Sequence, residues 1–160
     1  MDSLIQLATD VGGILKQKEK LLACAESCTG GLISATVTRV PGSSEWFDSG
    51  YVCYSNLAKA RLLGINRATI EYYGPVSREI ACLMAQRVVS NNDVDVGLAV
   101  TGIAGPGGGT PELDVGTVWF AWHLENGKTR SKVEHISGSR IEVQQRAVIL
   151  ALEGLIDILS

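Results

Sequence analysis

The nine-residue run VDVGLAVTG at 94–102 constrains this chain more than any other stretch. It is apolar nearly throughout and closes on Gly102, which is the pattern of a strand buried on both faces. Such a strand needs helices above and below its sheet. KLLACAE at 20–26 and GYVCYS at 50–55 read as further buried strands. Between them lie segments with helical spacing. Leu4, Leu7, Ala8, Val11 and Leu15 share one face of a helix over 3–18, with Asp2 or Ser3 as its N-cap. A helix over 30–40 stops at Pro41-Gly42-Ser43-Ser44, Asn56–Leu63 forms a short helix ending at Gly64, and another covers 66–72. After the Gly74-Pro75 break, Ser77 caps a long helix to about residue 90. VGTVWFAWHLE (115–125) and TRSKVEHIS (129–137) flank Asn126-Gly127, a strong hairpin signal. Val143, Ala147, Leu150, Ala151, Leu155 and Ile158 make 139–159 an amphipathic closing helix. The expected fold is α/β: a three-layer α/β/α domain over 1–160, with a mixed, mostly parallel sheet and a C-terminal β-hairpin followed by a helix. A chain of 160 residues is long enough to bury one such core.

Charge and composition remove several function classes. The formal net charge is −3 and the Lys and Arg residues are scattered, so no basic stripe marks a nucleic-acid partner. No apolar run approaches the roughly 18–20 residues that span a bilayer. The start, MDSLIQLATDVGG, lacks a charged region followed by a continuous apolar one, so no signal peptide and a cytoplasmic location are expected. Cys24, Cys28, Cys53 and Cys82 form no C-x-x-C pair, and His123 and His135 are the only histidines. They read as reduced thiols in the core rather than metal ligands, and no metal is expected.

In open α/β sheets ligands bind beyond the carboxyl ends of the strands. Three glycine-bearing exits of that kind occur here. Ala25-Glu26-Ser27-Cys28-Thr29-Gly30-Gly31 leaves a strand and opens a helix, where free amides and the helix dipole favour an anion or a developing oxyanion. A hydroxyl at Ser27 is placed to act as a nucleophile. Equally, Ser27 or Thr29 can simply cap the helix. A serine nucleophile needs a base, and both histidines fall within the predicted hairpin strands. A buried lysine of lowered pKa serves as well. Lys59 follows the exit of the 50–55 strand, which Tyr54 ends, and it reads either as that base or as a solvated helix lysine. If strands 20–26 and 50–55 are neighbours, their exits bring Ser27, Tyr54 and Lys59 together.

The third exit, Thr101 to Gly109, is able to wrap a phosphate or sugar with backbone amides. It lacks the lysine-serine ending of a P-loop and runs into a strand, which excludes a nucleotide triphosphatase. Gly107–Gly109 also reads as a flexible exposed loop. Arg140, after Gly138 at the start of the last helix, sits where a cation opposes the helix dipole. It is either an anion ligand or a surface arginine.

Taken together, AESCTGG (25–31), PGSSEWF (41–47), YSNLAK (54–59), GPVS (74–77), TGIAGPGGG (101–109) and VGTVWFAW (115–122) resemble the C-terminal domain of the CinA competence-damage family. Its stand-alone members include nicotinamide-nucleotide amidases. The likeness covers nearly the whole chain. It implies hydrolysis of the carboxamide of nicotinamide mononucleotide to nicotinic acid mononucleotide and ammonia, without a cofactor. A small-molecule nucleotide would be the partner. Carried onto this chain, the pattern puts the nucleophile at Ser27 and the general base at Lys59, with Tyr54 assisting proton movement or positioning. The turn Cys28, Thr29, Gly30 and Gly31 would hold the oxyanion, and Thr101, Gly102, Gly105 and Arg140 the ribose and phosphate.

Two positions depart from the pattern. Leu113-Asp114 stands where many members carry Lys-Pro, and Gln144 where many carry a second arginine, a loss that Arg146 can compensate. The alternative is therefore a catalytically silent nucleotide-binding relative. The pyrophosphatase-type N-terminal domain of larger members has no counterpart here. Exposed Trp or Val on the terminal hairpin would offer an edge to a second copy, so a homodimer is expected.

Overall fold

The structure, a computed structural model, describes residues 2–160. Its centre is a five-stranded sheet in the order β2-β1-β3-β4-β5. β1 (Leu22–Glu26) lies between β2 (Phe47–Val52) and β3 (Val96–Gly102), parallel to both. β4 (Thr117–Leu124) runs antiparallel to β3, and β5 (Thr129–His135) antiparallel to β4. β4 alone thus opposes the common direction, which gives the mixed, mostly parallel sheet expected.

Side-chain alternation along β1 divides the core into two layers. Leu22 and Cys24 enter the layer built with α1 (Ser3–Gln17), α2 (Leu32–Val37) and α6 (Arg140–Leu159). Ala23 and Ala25 enter the other, with α3 (Asn56–Leu63), α4 (Arg67–Tyr73) and α5 (Arg78–Asn92). Several ends sit where the residues demand. Asp2 caps α1, accepting from the Leu4 amide at 2.9 Å, and Ser77 caps α5, accepting from the Ile80 amide at 3.3 Å. Ser139 and Glu142 form a reciprocal capping box on α6. At the β4–β5 hairpin, Gly127 adopts φ 97° and its amide donates to Leu124 O at 2.9 Å.

Two expectations need correction. The helix over 30–40 is only Leu32–Val37, because Gly30 (φ 59°) and Gly31 (φ 101°) are left-handed and belong to the turn before it. The strand placed at 50–55 is Phe47–Val52, and it is not buried throughout: its residues alternate between half-buried and exposed. The reason is topological, since β2 is an edge strand paired with β1 alone. Along the two hairpin segments, Val115 is exposed, Trp122 is buried, and Trp119 and Val133 are half-buried, with the Arg78 guanidinium 5.5 Å from the Trp119 ring centroid. No helix among the described residues is long and apolar enough to cross a membrane.

Candidate active site

The parallel strands β2, β1 and β3 end side by side, and backbone bonds pin their exits together. The Ser27 amide donates to Val100 O at 3.0 Å, and the Cys53 amide donates to Glu26 O at 2.8 Å. Ser27 is the first residue beyond β1 and is 6% exposed. Ser55 caps α3, accepting from the Ala58 amide at 3.0 Å, and this sets the first turn that carries Lys59.

Lys59 is not a solvated helix lysine; it is 2% exposed. Its Nζ donates to Ser27 Oγ at 3.1 Å, to Cys53 O at 3.1 Å and to Tyr54 O at 3.4 Å. Burial pushes its pKa below the ordinary 10.5. A neutral amine has two N–H bonds and one lone pair. With the N–H bonds on the two carbonyls, the lone pair is left for the Ser27 hydroxyl. The histidines stand elsewhere: His123 Nδ1 meets Thr129 Oγ1 at 2.6 Å, and His135 Nδ1 meets Thr117 Oγ1 at 3.3 Å.

Above Ser27 opens a cleft of about 300 Å³, lined by Ser27, Cys28, Tyr54, Gly102, Ile103, Ala104, Gly105, Gly107, Gly108 and Arg140. Arg140 bridges its walls, donating from Nη1 to Gly105 O at 2.8 Å and from Nη2 to Tyr54 Oη at 2.6 Å. Tyr54 therefore meets the site twice: its carbonyl accepts from Lys59, while its 58%-exposed ring turns its hydroxyl toward Arg140. Cys28 lies in the same cleft, but burial pushes its thiol up to about 12, so it stays protonated beside Ser27.

Not every candidate converges. Thr101 is buried and its hydroxyl donates to Pro75 O at 2.8 Å, outside the cleft lining. Gly30 and Gly31 border a separate shallow depression with Thr29, Leu32, Ala35 and Gln144. Neither Ser27 nor Thr29 caps α2, whose N-cap is Gly31 and has no side chain to offer. The cap comes from Glu26, which accepts from the Ile33 amide at 2.8 Å and the Ser34 amide at 2.9 Å. The start of α2 is therefore not an open anion site. Within the turn, the Gly30 amide donates to Ser27 O at 3.0 Å and the Leu32 amide to Thr29 O at 3.0 Å. The Cys28, Thr29 and Gly31 amides have no protein acceptor among the described residues.

Gln144, on α6, donates from Nε2 to Cys28 O at 3.0 Å, so it braces the turn from the far side. Arg146 does not compensate for it. It borders a different depression, with Lys132, Glu134 and His135. Glu26 was missed by the sequence reading. The signal was available: a carboxylate inside an otherwise apolar strand is almost never buried unless it is paired.

Residues 4–159 match the CinA C-terminal domain. The nicotinamide-nucleotide amidohydrolase PncC of Enterobacter agglomerans is 44% identical over 150 residues, covering 94% of this chain and 92% of that protein. The protein of the same name from Escherichia coli (strain K12) is 40% identical over 152 residues, covering 95% and 92%. The crystal structure of competence/damage inducible protein CihA from Agrobacterium tumefaciens has a TM-score of 0.96 at 36% identity, covering 100% of this chain and 98% of that one. With the match extending over nearly its full length, the chain belongs to the CinA C-terminal domain family.

Proposed function

We propose that this protein hydrolyses the carboxamide of nicotinamide mononucleotide, releasing ammonia and nicotinic acid mononucleotide, with Ser27 as nucleophile and Lys59 as general base. The observation that carries this reading is the 3.1 Å contact between a buried lysine amine and a serine hydroxyl on the floor of the cleft. The names of the relatives described above supply the substrate class.

The steps follow from the contacts. Lys59 Nζ takes the proton of Ser27 as Oγ bonds to the amide carbon, and the carbonyl oxygen becomes an oxyanion. The unengaged amide of Cys28, the turn residue that lines the cleft beside Ser27, is the candidate donor to it; losing such a donor raises a barrier by about 2.7–4 kcal/mol. The C–N bond then breaks, and the leaving nitrogen takes the proton from Lys59 and departs as ammonia. Water attacks the resulting ester and gives its proton to Lys59, which returns it to Ser27 Oγ as the acid leaves. Arg140 spends one N–H each on Gly105 O and Tyr54 Oη. A guanidinium has five, so it retains donors for a phosphate.

The test is ammonia release from nicotinamide mononucleotide by the purified protein and by Ser27→Ala. Turnover at least about a hundredfold above the Ser27→Ala background is expected, in line with loss of a nucleophile. Binding of the nucleotide without ammonia release would replace this reading with that of a silent relative.

A further inference from the structure

Glu26 is the one fully buried carboxylate at the site, and the steps above do not use it. Its exposure is 0%, yet all its donors are neutral groups. Oε1 accepts from Thr29 Oγ1 at 2.7 Å and the Ile33 amide at 2.8 Å. Oε2 accepts from the Ser34 amide at 2.9 Å and Ser34 Oγ at 2.7 Å. Two donors on each oxygen fill its lone-pair sites, so the carboxylate has no capacity left to act as a base.

The location explains what this arrangement does. Glu26 ends β1 and follows the alternation of Leu22 and Cys24, so its side chain enters the α2 layer. Ser27, one residue on, turns to the opposite side, where Lys59 waits on α3. The two neighbours thus brace and use the same turn from opposite faces of the sheet. Gly30 and Gly31 are both left-handed, and glycine there leaves the turn free to adopt other conformations. Something must select one. Glu26 ties down its middle through Thr29 and its far end through Ile33 and Ser34. A Cβ at Gly50 of β2 would collide with Ser34 Oγ, so the edge strand also leaves room for this network.

We propose that Glu26 is the positioning residue of the Ser27 site: its fully occupied carboxylate holds the 27–31 turn in the one conformation that leaves the Cys28, Thr29 and Gly31 amides unengaged and sets Ser27 Oγ against Lys59 Nζ. The inference rests on the amidase reading for its consequences in rate, but its structural content is independent of that reading.

The test is Glu26→Gln, nearly isosteric, which turns an amide N–H₂ toward donors that need an acceptor. Two measurements are made on it: a crystal structure and the pH profile of kcat for ammonia release. A displaced turn, with kcat reduced about a hundredfold, KM within about threefold and the pH limb unmoved, is the expected result, since misplacement by about 1 Å costs that much. A positioning role lowers the plateau without moving the limb; an electrostatic effect on Lys59 would move the limb, and that result overturns the proposal. An undisplaced turn, or kcat within threefold of the parent, also overturns it. If the parent releases no ammonia, the amidase reading falls and the turn geometry of the variant alone decides this proposal. Should Glu26→Gln fail to fold, Thr29→Val with Ser34→Ala removes the two hydroxyl donors and spares the carboxylate. In that pair a loss of tenfold or more in kcat, or a displaced turn where the parent is inactive, supports the role, and the absence of either refutes it.

Discussion

Replacing Lys59 by methionine removes the amine and keeps most of the side-chain volume at a position 2% exposed. General-base assistance is worth about 10²–10⁴ in rate, or about 2.7–5.4 kcal/mol at 1.36 kcal/mol per decade. The structure argues for the upper half of that range. Once Nζ is gone, the acceptor left to Ser27 Oγ is Tyr54 O at 3.5 Å, a long contact to a carbonyl that cannot take the proton. A fall in kcat of about 10³-fold is therefore expected. Stability should move far less, because two effects oppose each other. Cys53 O loses its amine donor, a penalty of about 1–3 kcal/mol, while the folded state no longer buries an ionisable amine.

The pH dependence carries a sign. The proposed reaction needs neutral Lys59, so kcat is expected to rise with pH through the folded-state pKa, which burial places below 10.5. Between that folded pKa and 10.5 the unfolded chain binds more protons at this site than the folded one. The site's contribution to parent stability therefore increases with pH across that window. Lys59→Met lacks this term, so its melting temperature relative to the parent is highest below the folded pKa and declines as pH approaches 10.5. The assay is continuous ammonia release across pH, with thermal melting of both proteins under the same buffers. A folded Lys59→Met variant that keeps more than about a tenth of the parent kcat would refute the reasoning, since base catalysis is worth at least about a hundredfold.

Two further substitutions probe other parts of the molecule. Arg140→Ala removes the bridge between Gly105 O and Tyr54 Oη and the cleft's guanidinium, so KM for the mononucleotide should rise about tenfold to hundredfold, matching a charge-assisted bond of about 1.5–3 kcal/mol; an unchanged KM would remove Arg140 from substrate binding. Gly154→Ala tests packing away from the site: a Cβ there would collide with the Trp122 indole, whose Nε1 is held to Ala151 O at 3.0 Å. Overpacking of about 1–3 kcal/mol should outweigh the gain in helix propensity of about 1 kcal/mol, lowering the melting temperature with kcat unchanged, and an equal or higher melting temperature would contradict it.

Much of the fold was legible because its signals are local. Ser77 caps α5, Asn126-Gly127 turns the hairpin, and the apolar spacing of 139–159 becomes α6, each settled by residues a few positions apart. The errors came where a neighbour far along the chain decides. GYVCYS looked buried on both faces, yet β2 lies at the sheet edge and has one partner. Thr101 looked like a ligand at a strand exit, but Pro75 takes its hydroxyl. Gly31 looked like part of an open anion site, and Glu26 already fills the start of that helix.

The strand ending in Gly102 illustrates the division. Sequence alone determined that this chain builds a covered α/β sheet with polar, glycine-bearing exits, because periodicity, caps and turn residues act within one or two turns of chain. Tertiary structure alone decided that the exits of β1 and β2 adjoin, that Lys59 is desolvated against Ser27 across 32 positions, and that Arg140 closes over Tyr54 across 86. Which strands become neighbours and which charge loses its water depend on the whole chain having packed, and no local pattern encodes that.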